Sequence, residues 1–133
     1  MNKRRIVKNL QIIHRTIWER VRDDGDKFDT FCNAKPNAIE KLSLDAKLKE
    51  KIVYYNACVF CMAFNFSCHL CPLYACEVRN SLYWKIKHAF YYDEEKFRKY
   101  CERMMRMADK LKEKKYKESV IFDGLECFDF DLS

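Results

Sequence analysis

Apolar side chains return at three- and four-residue steps near the start of the chain: Ile6, Leu10, Ile13, Ile17 and Val21, widened by Val7 and Trp18. That period matches an α-helical turn and predicts a strongly amphipathic helix over residues 3–22. Asp23-Asp24-Gly25 ends it, with Gly25 expected at a positive φ beyond the last turn. His14 falls inside the apolar arc, where a histidine is more often a core or boundary side chain hydrogen-bonded to a neighbour than a ligand.

Residues 26–42 carry the least regular pattern. Pro36 is expected to set a boundary there, with a helical turn or two over Asn37 to Leu42 and with Phe28 and Phe31 capping the core. The stripe Leu44, Leu48, Ile52, Tyr55, Val59 and Met62 predicts a second long helix, N-capped by Ser43. A further helix is expected over residues 73–92, with Leu82, Ile86, Ala89 and Phe90 as its apolar positions and Tyr83 and Trp84 alongside. Asp93 reads as the N-cap of a last helix from Glu94 to Lys112, whose first turn carries Glu94 and Glu95 and whose stripe is Phe97, Tyr100, Cys101, Met104, Ala108 and Leu111. The tail beyond residue 118 alternates apolar and acidic residues around Asp123-Gly124. It fits a short hairpin, a docking strand, or an acidic-aromatic segment lying on basic helix faces. The expected architecture is mainly α: a bundle of three to four helices in one domain over residues 1–118, stapled by a cysteine-rich metal site. An irregular or β-hairpin tail follows over 119–133.

Composition supports this reading. Two glycines and two prolines in 133 residues leave little material for turns, and 15% aromatic residues favour a packed core over disorder. No apolar run is long enough to span a bilayer, and the N-terminus lacks the features of a secretory signal, so a cytoplasmic chain with reduced thiols is expected. The net charge of +6 is unevenly spread: residues 1–22 hold seven basic and one acidic side chain, and the last fifteen residues hold four acidic and no basic ones. Arg4, Lys8, Arg15 and Arg22 fall along one ridge of the first helix. Lys99, Arg103, Arg106 and Lys110 lie on a flank of the last helix beside a ridge of acidic residues. Either set reads as a solvated face or as a contact surface for phosphates or acidic protein side chains.

Five of the eight cysteines fall within residues 58–76, as two Cys-x-x-Cys pairs and a fifth cysteine. Thiolates two residues apart bind one metal together, so Cys58, Cys61, Cys68 and Cys71 are expected to form a closed, structural zinc site. His69 or Cys76 are alternates. The shifted set Cys61, Cys68, Cys71 and Cys76 is similar to the loop that holds a 4Fe–4S cluster in endonuclease III-type DNA glycosylases, down to Cys71-Pro72-Leu73; only the loop is shared, and the last spacer is one residue short. Disulfides and inert core packing are the competing explanations, and packing suits the isolated Cys32, Cys101 and Cys127 best.

The order of these features resembles a loose group of small bacteriophage proteins. The matching pieces are Trp18, Cys58-Val59-Phe60-Cys61, Cys68-His69-Leu70-Cys71-Pro72-Leu73, Cys76, Ser81-Leu82-Tyr83-Trp84 and the helix from Glu94. Two departures are the adjacency of Tyr83 and Trp84 and the acidic tail. The resemblance implies a phage origin, a host-cytoplasm setting and a structural metal, and carries no activity with it.

No glycine-rich phosphate loop, nucleophile elbow, His-Glu-x-x-His or zinc-deaminase signature is present, and the chain is expected not to be an enzyme. Two function classes follow. One is a metal-stapled module that binds and inhibits a host protein or ribonucleoprotein complex, for instance as an anti-CRISPR inhibitor. The other is direct nucleic-acid binding by the same basic faces, with Tyr54, Tyr91 and Tyr92 available to stack on bases.

Overall fold

The computed structural model describes residues 2–54, 80–110 and 125–131, among which five α-helices occur. Helix α1 spans Lys3–Asp24, α2 Phe31–Glu40, α3 Ala46–Tyr54, α4 Leu82–Tyr92 and α5 Glu94–Arg106. No strand occurs among the described residues.

Helix α1 is the axis of the fold. Its predicted stripe is buried in full, with Ile6 and Leu10 fully inaccessible and Ile13, Ile17, Trp18 and Val21 nearly so. Each such side chain removed from water contributes about 1.5–3 kcal/mol. Asn2 caps the helix by accepting the Arg5 N–H at 3.2 Å. Helix α5 lies antiparallel along α1: Arg98 donates to the Arg22 carbonyl at 3.3 Å, and further along His14 meets the Met104 carbonyl at 2.8 Å.

A single residue, Asp93, joins α4 to α5. Its extended backbone breaks the helix and its carboxylate accepts the Lys96 N–H at 3.1 Å, as the sequence predicts. The sharp turn folds α4 back, so that Phe90 meets Phe97 edge to face with ring centroids 5.6 Å apart. Phe31 from α2 contacts both Phe90 and Tyr83, and Tyr83 contacts Trp18, which locks α1, α2 and α4 together through aromatic edges.

Five local expectations are corrected. Gly25 is not in the left-handed region: its φ is −60° and the chain passes from α1 straight into a 3-10 turn over Gly25–Lys27. What requires a glycine is space, because a Cβ there would stand 3.0 Å from Cζ of the buried Phe97 ring. Pro36 sits inside α2 rather than before it; its ring forgoes only the amide bond to the Cys32 carbonyl, a cost that burial of Phe31, Ala34, Ala38 and Ile39 offsets. Helix α3 starts at Ala46, capped by Asp45, which accepts the Lys47 N–H at 2.7 Å, and not by Ser43. Of the helix expected over 73–92, residues 73–79 lie outside the described residues; Asn80 is not helical, with a φ of 72° that suits asparagine, and Ser81 caps the helix that starts at Leu82 by accepting the Trp84 N–H at 3.1 Å. The last helix leaves α geometry at Met107 and continues as a 3-10 turn over Met107–Lys110.

Residues 125–131 are irregular, with one 3-10 turn over Glu126–Phe128 and no hairpin strand. Leu125 and Phe128 are buried in the same core as α1, beside Ile6 and Leu10. The buried Asn9 holds the segment down: its Nδ2 donates to the carbonyls of Phe128 and Phe130, both at 2.7 Å. Asp129 adds a contact with Arg5 at 2.6 Å and accepts the Asn2 N–H at 3.0 Å.

Candidate interaction surface

The core side of α4 is set by Ile86 and Ala89, with Leu82, Tyr83 and Phe90 partly buried around them. The residues between them lie on the outer side, and there α4 carries rings instead of the usual charges. Trp84, His88 and Tyr92 follow one another at the four-residue spacing that aligns side chains along a helix. Trp84 and His88 stack with centroids 5.0 Å apart and planes 12° from parallel, and Tyr92 leans on His88 at 4.8 Å and 45°. Tyr91 stands beside Tyr92 with centroids 6.5 Å apart. Tyr92 is 78% exposed and Tyr91 49%, the two most exposed aromatic residues among those described. Lys87 is exposed on the same face and Lys85 half-buried next to it.

This ladder rests on a rigid base. The Tyr91 hydroxyl accepts the Phe31 N–H at 3.2 Å, satisfying the first amide of α2, which Thr30 leaves uncapped by its own side chain. Behind it, the largely buried Lys35 lies over the rings of Trp18 and Tyr83, 5.2 and 5.5 Å from their centroids. The face is thus braced by α1 and α2.

The basic residues singled out in the sequence behave differently from one another. Arg4 and Lys8 are exposed on α1. Arg15 is paired with Asp109, beyond the end of α5. Arg22 contacts Asp23 at 2.9 Å and Glu102 at 3.4 Å, and these carboxylates raise the guanidinium's pKa above its ordinary value. Lys99 pairs with Glu95 one turn earlier at 3.3 Å, and the Arg103 guanidinium lies 5.9 Å from the Tyr100 ring centroid. Arg106 is exposed, and the side chain of Lys110 lies outside the described residues. The two ridges therefore spend part of their charge on contacts within the molecule, several of them between elements that only the fold brings together.

Cys58, Cys61, Cys68, Cys71, Cys76 and His69 all lie outside the described residues, as does the Tyr54 side chain. Among the described residues no group of three or more His, Cys, Asp or Glu side chains is placed to hold a metal ion. His14, the histidine of the apolar arc, is buried and bonded to a backbone carbonyl; burial lowers its pKa to about 3, so it is a neutral core side chain. Cys101 is buried against α1 with its thiol pushed up to about 12 by the loss of solvent. No described helix is long and apolar enough to cross a membrane.

The aromatic ladder is legible in the spacing of Trp84, His88 and Tyr92 opposite Ile86 and Ala89, a signal hidden while Trp84 is placed simply alongside the apolar positions and His88 is left unread. No family model matches the chain, and no match is found among the curated proteins or the solved structures.

Proposed function

We propose that this chain is a non-catalytic helical module, stabilised by zinc at Cys58, Cys61, Cys68 and Cys71, that binds a protein or nucleoprotein of a bacterial host through the outer face of α4. In this reading it is a phage-encoded inhibitor of a host defence or replication complex, acting by occupying a surface rather than by chemistry. The observation that carries the reading is the pre-stacked ladder Trp84–His88–Tyr92, half-buried at Trp84 and exposed at His88 and Tyr92, with the exposed Tyr91 beside it. Tyrosine and tryptophan dominate the energetic centres of protein interfaces because they bring large contact area at little entropic cost. Ordering these rings before binding lowers that cost further.

Direct nucleic-acid binding is the second reading, supported by the exposed Arg4, Lys8, Lys87 and Arg106. Two features weigh against it. Arg15, Arg22 and Lys99 are engaged by carboxylates of the same molecule. Trp84 and His88 also turn their ring faces on each other, so a base would have to open the stack in order to share it.

The test is affinity capture of bacterial partners by the full chain and by the His88→Ala/Tyr92→Ala variant, with nuclease treatment and at two salt concentrations. A protein partner that survives nuclease and high salt, and that the variant binds at least tenfold less, supports the reading. Capture abolished by nuclease or by salt moves the function to nucleic acid. Equal capture by the variant overturns the aromatic face.

A further inference from the structure

A cleft elsewhere in the molecule differs from the aromatic face in chemistry as well as in sequence. The start of α3 and the C-terminal segment enclose a cleft of about 480 Å³, lined among others by Leu44, Lys47, Leu48, Lys51, Cys127 and Phe130. That is the size range of small-molecule sites, which combine apolar walls with a few placed polar groups. Leu48 and the partly buried Leu44 and Phe130 supply the apolar walls here.

Cys127 is the one thiol among the residues lining this cleft. Its side chain is exposed, and the Lys51 ammonium stands 3.6 Å from its Sγ. The thiol is also held on a fixed support. It lies in the 3-10 turn Glu126–Phe128, in which Phe128 is fully buried, and Asn9 grips the carbonyl of Phe128 and, just beyond the turn, that of Phe130. A cation beside a sulfur favours the negative charge that the sulfur must carry as it attacks.

We infer that the cleft binds carboxylate-bearing low-molecular-weight disulfides and that Cys127 captures half of such a molecule as a mixed disulfide. The sulfur of Cys127, as thiolate, attacks one sulfur of the incoming disulfide. A bond from Cys127 to that sulfur forms while the original sulfur–sulfur bond breaks. The other half leaves as a thiolate and takes up the proton that the Cys127 thiol gave up. Cys127 is oxidised, the departing half is reduced, and the disulfide itself is the oxidant. Lys47 and Lys51 offer charge complementary to the carboxylates of the captured half, and Asp45 and Asp131, which line the same cleft, offer charge complementary to its ammonium group. The two other cysteines of the described residues lie apart from this setting: Cys101 is buried, and Cys32 is exposed on α2 outside the cleft.

The experiment treats the reduced full chain with glutathione disulfide, and in parallel with the dication cystamine, and follows each cysteine by peptide mass spectrometry. Cys127 is expected to react at least tenfold faster than Cys32 with glutathione disulfide. The advantage should shrink several-fold with Lys51→Met and with cystamine, while circular dichroism shows the variant folded. Modification of Cys32 as fast as Cys127 overturns the inference. A Cys127 rate indifferent both to Lys51→Met and to the probe's charge overturns it as well.

Discussion

His14 on α1 donates from Nε2 to the backbone carbonyl of Met104 on α5 at 2.8 Å, across 90 residues of sequence. The acceptor belongs to the last turn of α5, and the Met107 N–H at the C-cap is directed at the same carbonyl. A buried imidazole on one helix thus adds a second donor at the end of another. Because the carbonyl can only accept, the proton of the neutral ring resides on Nε2.

This contact predicts a pH dependence. Burial, the largest influence, lowers the folded-state pKa of His14 from 6.5 to about 3. The unfolded chain therefore takes up a proton at a pH where the folded chain does not, and acid favours unfolding. The contribution is complete above about pH 6.5 and is lost as pH falls towards about 3, with a slope of up to about 1.4 kcal/mol per pH unit. Asp24 and Asp129, whose pKa values are held low mainly by hydrogen bonds from Lys41 and the Asn2 amide respectively, act in the same direction only below about pH 4. Urea titrations at pH 7, 5.5 and 4.5 check this. His14→Gln, which does not titrate, should flatten the dependence between pH 6.5 and 4.5, and equal slopes for both proteins would rule out His14 as its source.

Asn9 makes a sharper prediction about the C-terminal segment. Both of its amide hydrogens face carbonyl oxygens in a buried site. Asn9→Ala should cost about 2–4 kcal/mol through two lost hydrogen bonds and the carbonyls left behind. Asn9→Asp, nearly identical in shape, should cost at least as much at pH 7, because it sets a carboxylate against two oxygens, and should recover as acid protonates it. Phe128→Ala, which empties a fully buried aromatic site, should cost about 3–5 kcal/mol. Hydrogen exchange at residues 125–131 reports the detachment directly; an aspartate variant as well protected as wild type would contradict the assigned donors.

At the α4–α5 junction, Asp93→Ala should remove the N-cap of α5 and lower stability by about 1 kcal/mol, whereas Asp93→Asn should cost much less. Thermal unfolding of the two variants separates capping from the carboxylate's charge. If both lose the same amount, charge near the helix start, and not the hydrogen bond, is what matters.

The cysteine spacing leads to a prediction that depends on composition alone. Protein purified without oxygen should contain one zinc per chain and be colourless, and a strong chelator should lower its melting temperature. Brown protein with iron and sulfide would select Cys61, Cys68, Cys71 and Cys76 instead, and metal-free protein would remove the staple.

What the sequence made legible is what depends on neighbours in the chain. The stripe of α1, the core positions Leu48, Ile52, Ile86, Phe97, Cys101 and Met104, and the Asp93 cap all follow from period and local hydrogen bonding, and all stand in the structure. The misses share a different origin. Gly25 was read for its backbone freedom, but its place is decided by the Phe97 ring, seventy-odd residues away. Pro36 was read as a boundary, but tertiary burial on both sides of it carries α2 through. Arg15 looked like part of a solvated or partner-facing ridge because its carboxylate, Asp109, comes from a distant segment, as does Glu102, which joins the adjacent Asp23 on Arg22. Asn9 carried no local signal at all, since its partners are backbone groups near residue 129.

The grip of Asn9 on Phe128 and Phe130 also bears on the order in which the fold is made. Helix α1 precedes the other described helices, and although α2 follows it closely, much of the surface that buries it comes from α5 and from residues 125–131, between 90 and 121 positions later. The part of its apolar stripe that these late segments cover must wait, exposed, until they have left the ribosome. Closing contacts of such long range is slow, and an exposed amphipathic helix is a target for chaperones and for premature association. Completion of the core is thus deferred until late in synthesis, and a chain halted before residue 128 would leave the Asn9 side of α1 uncovered.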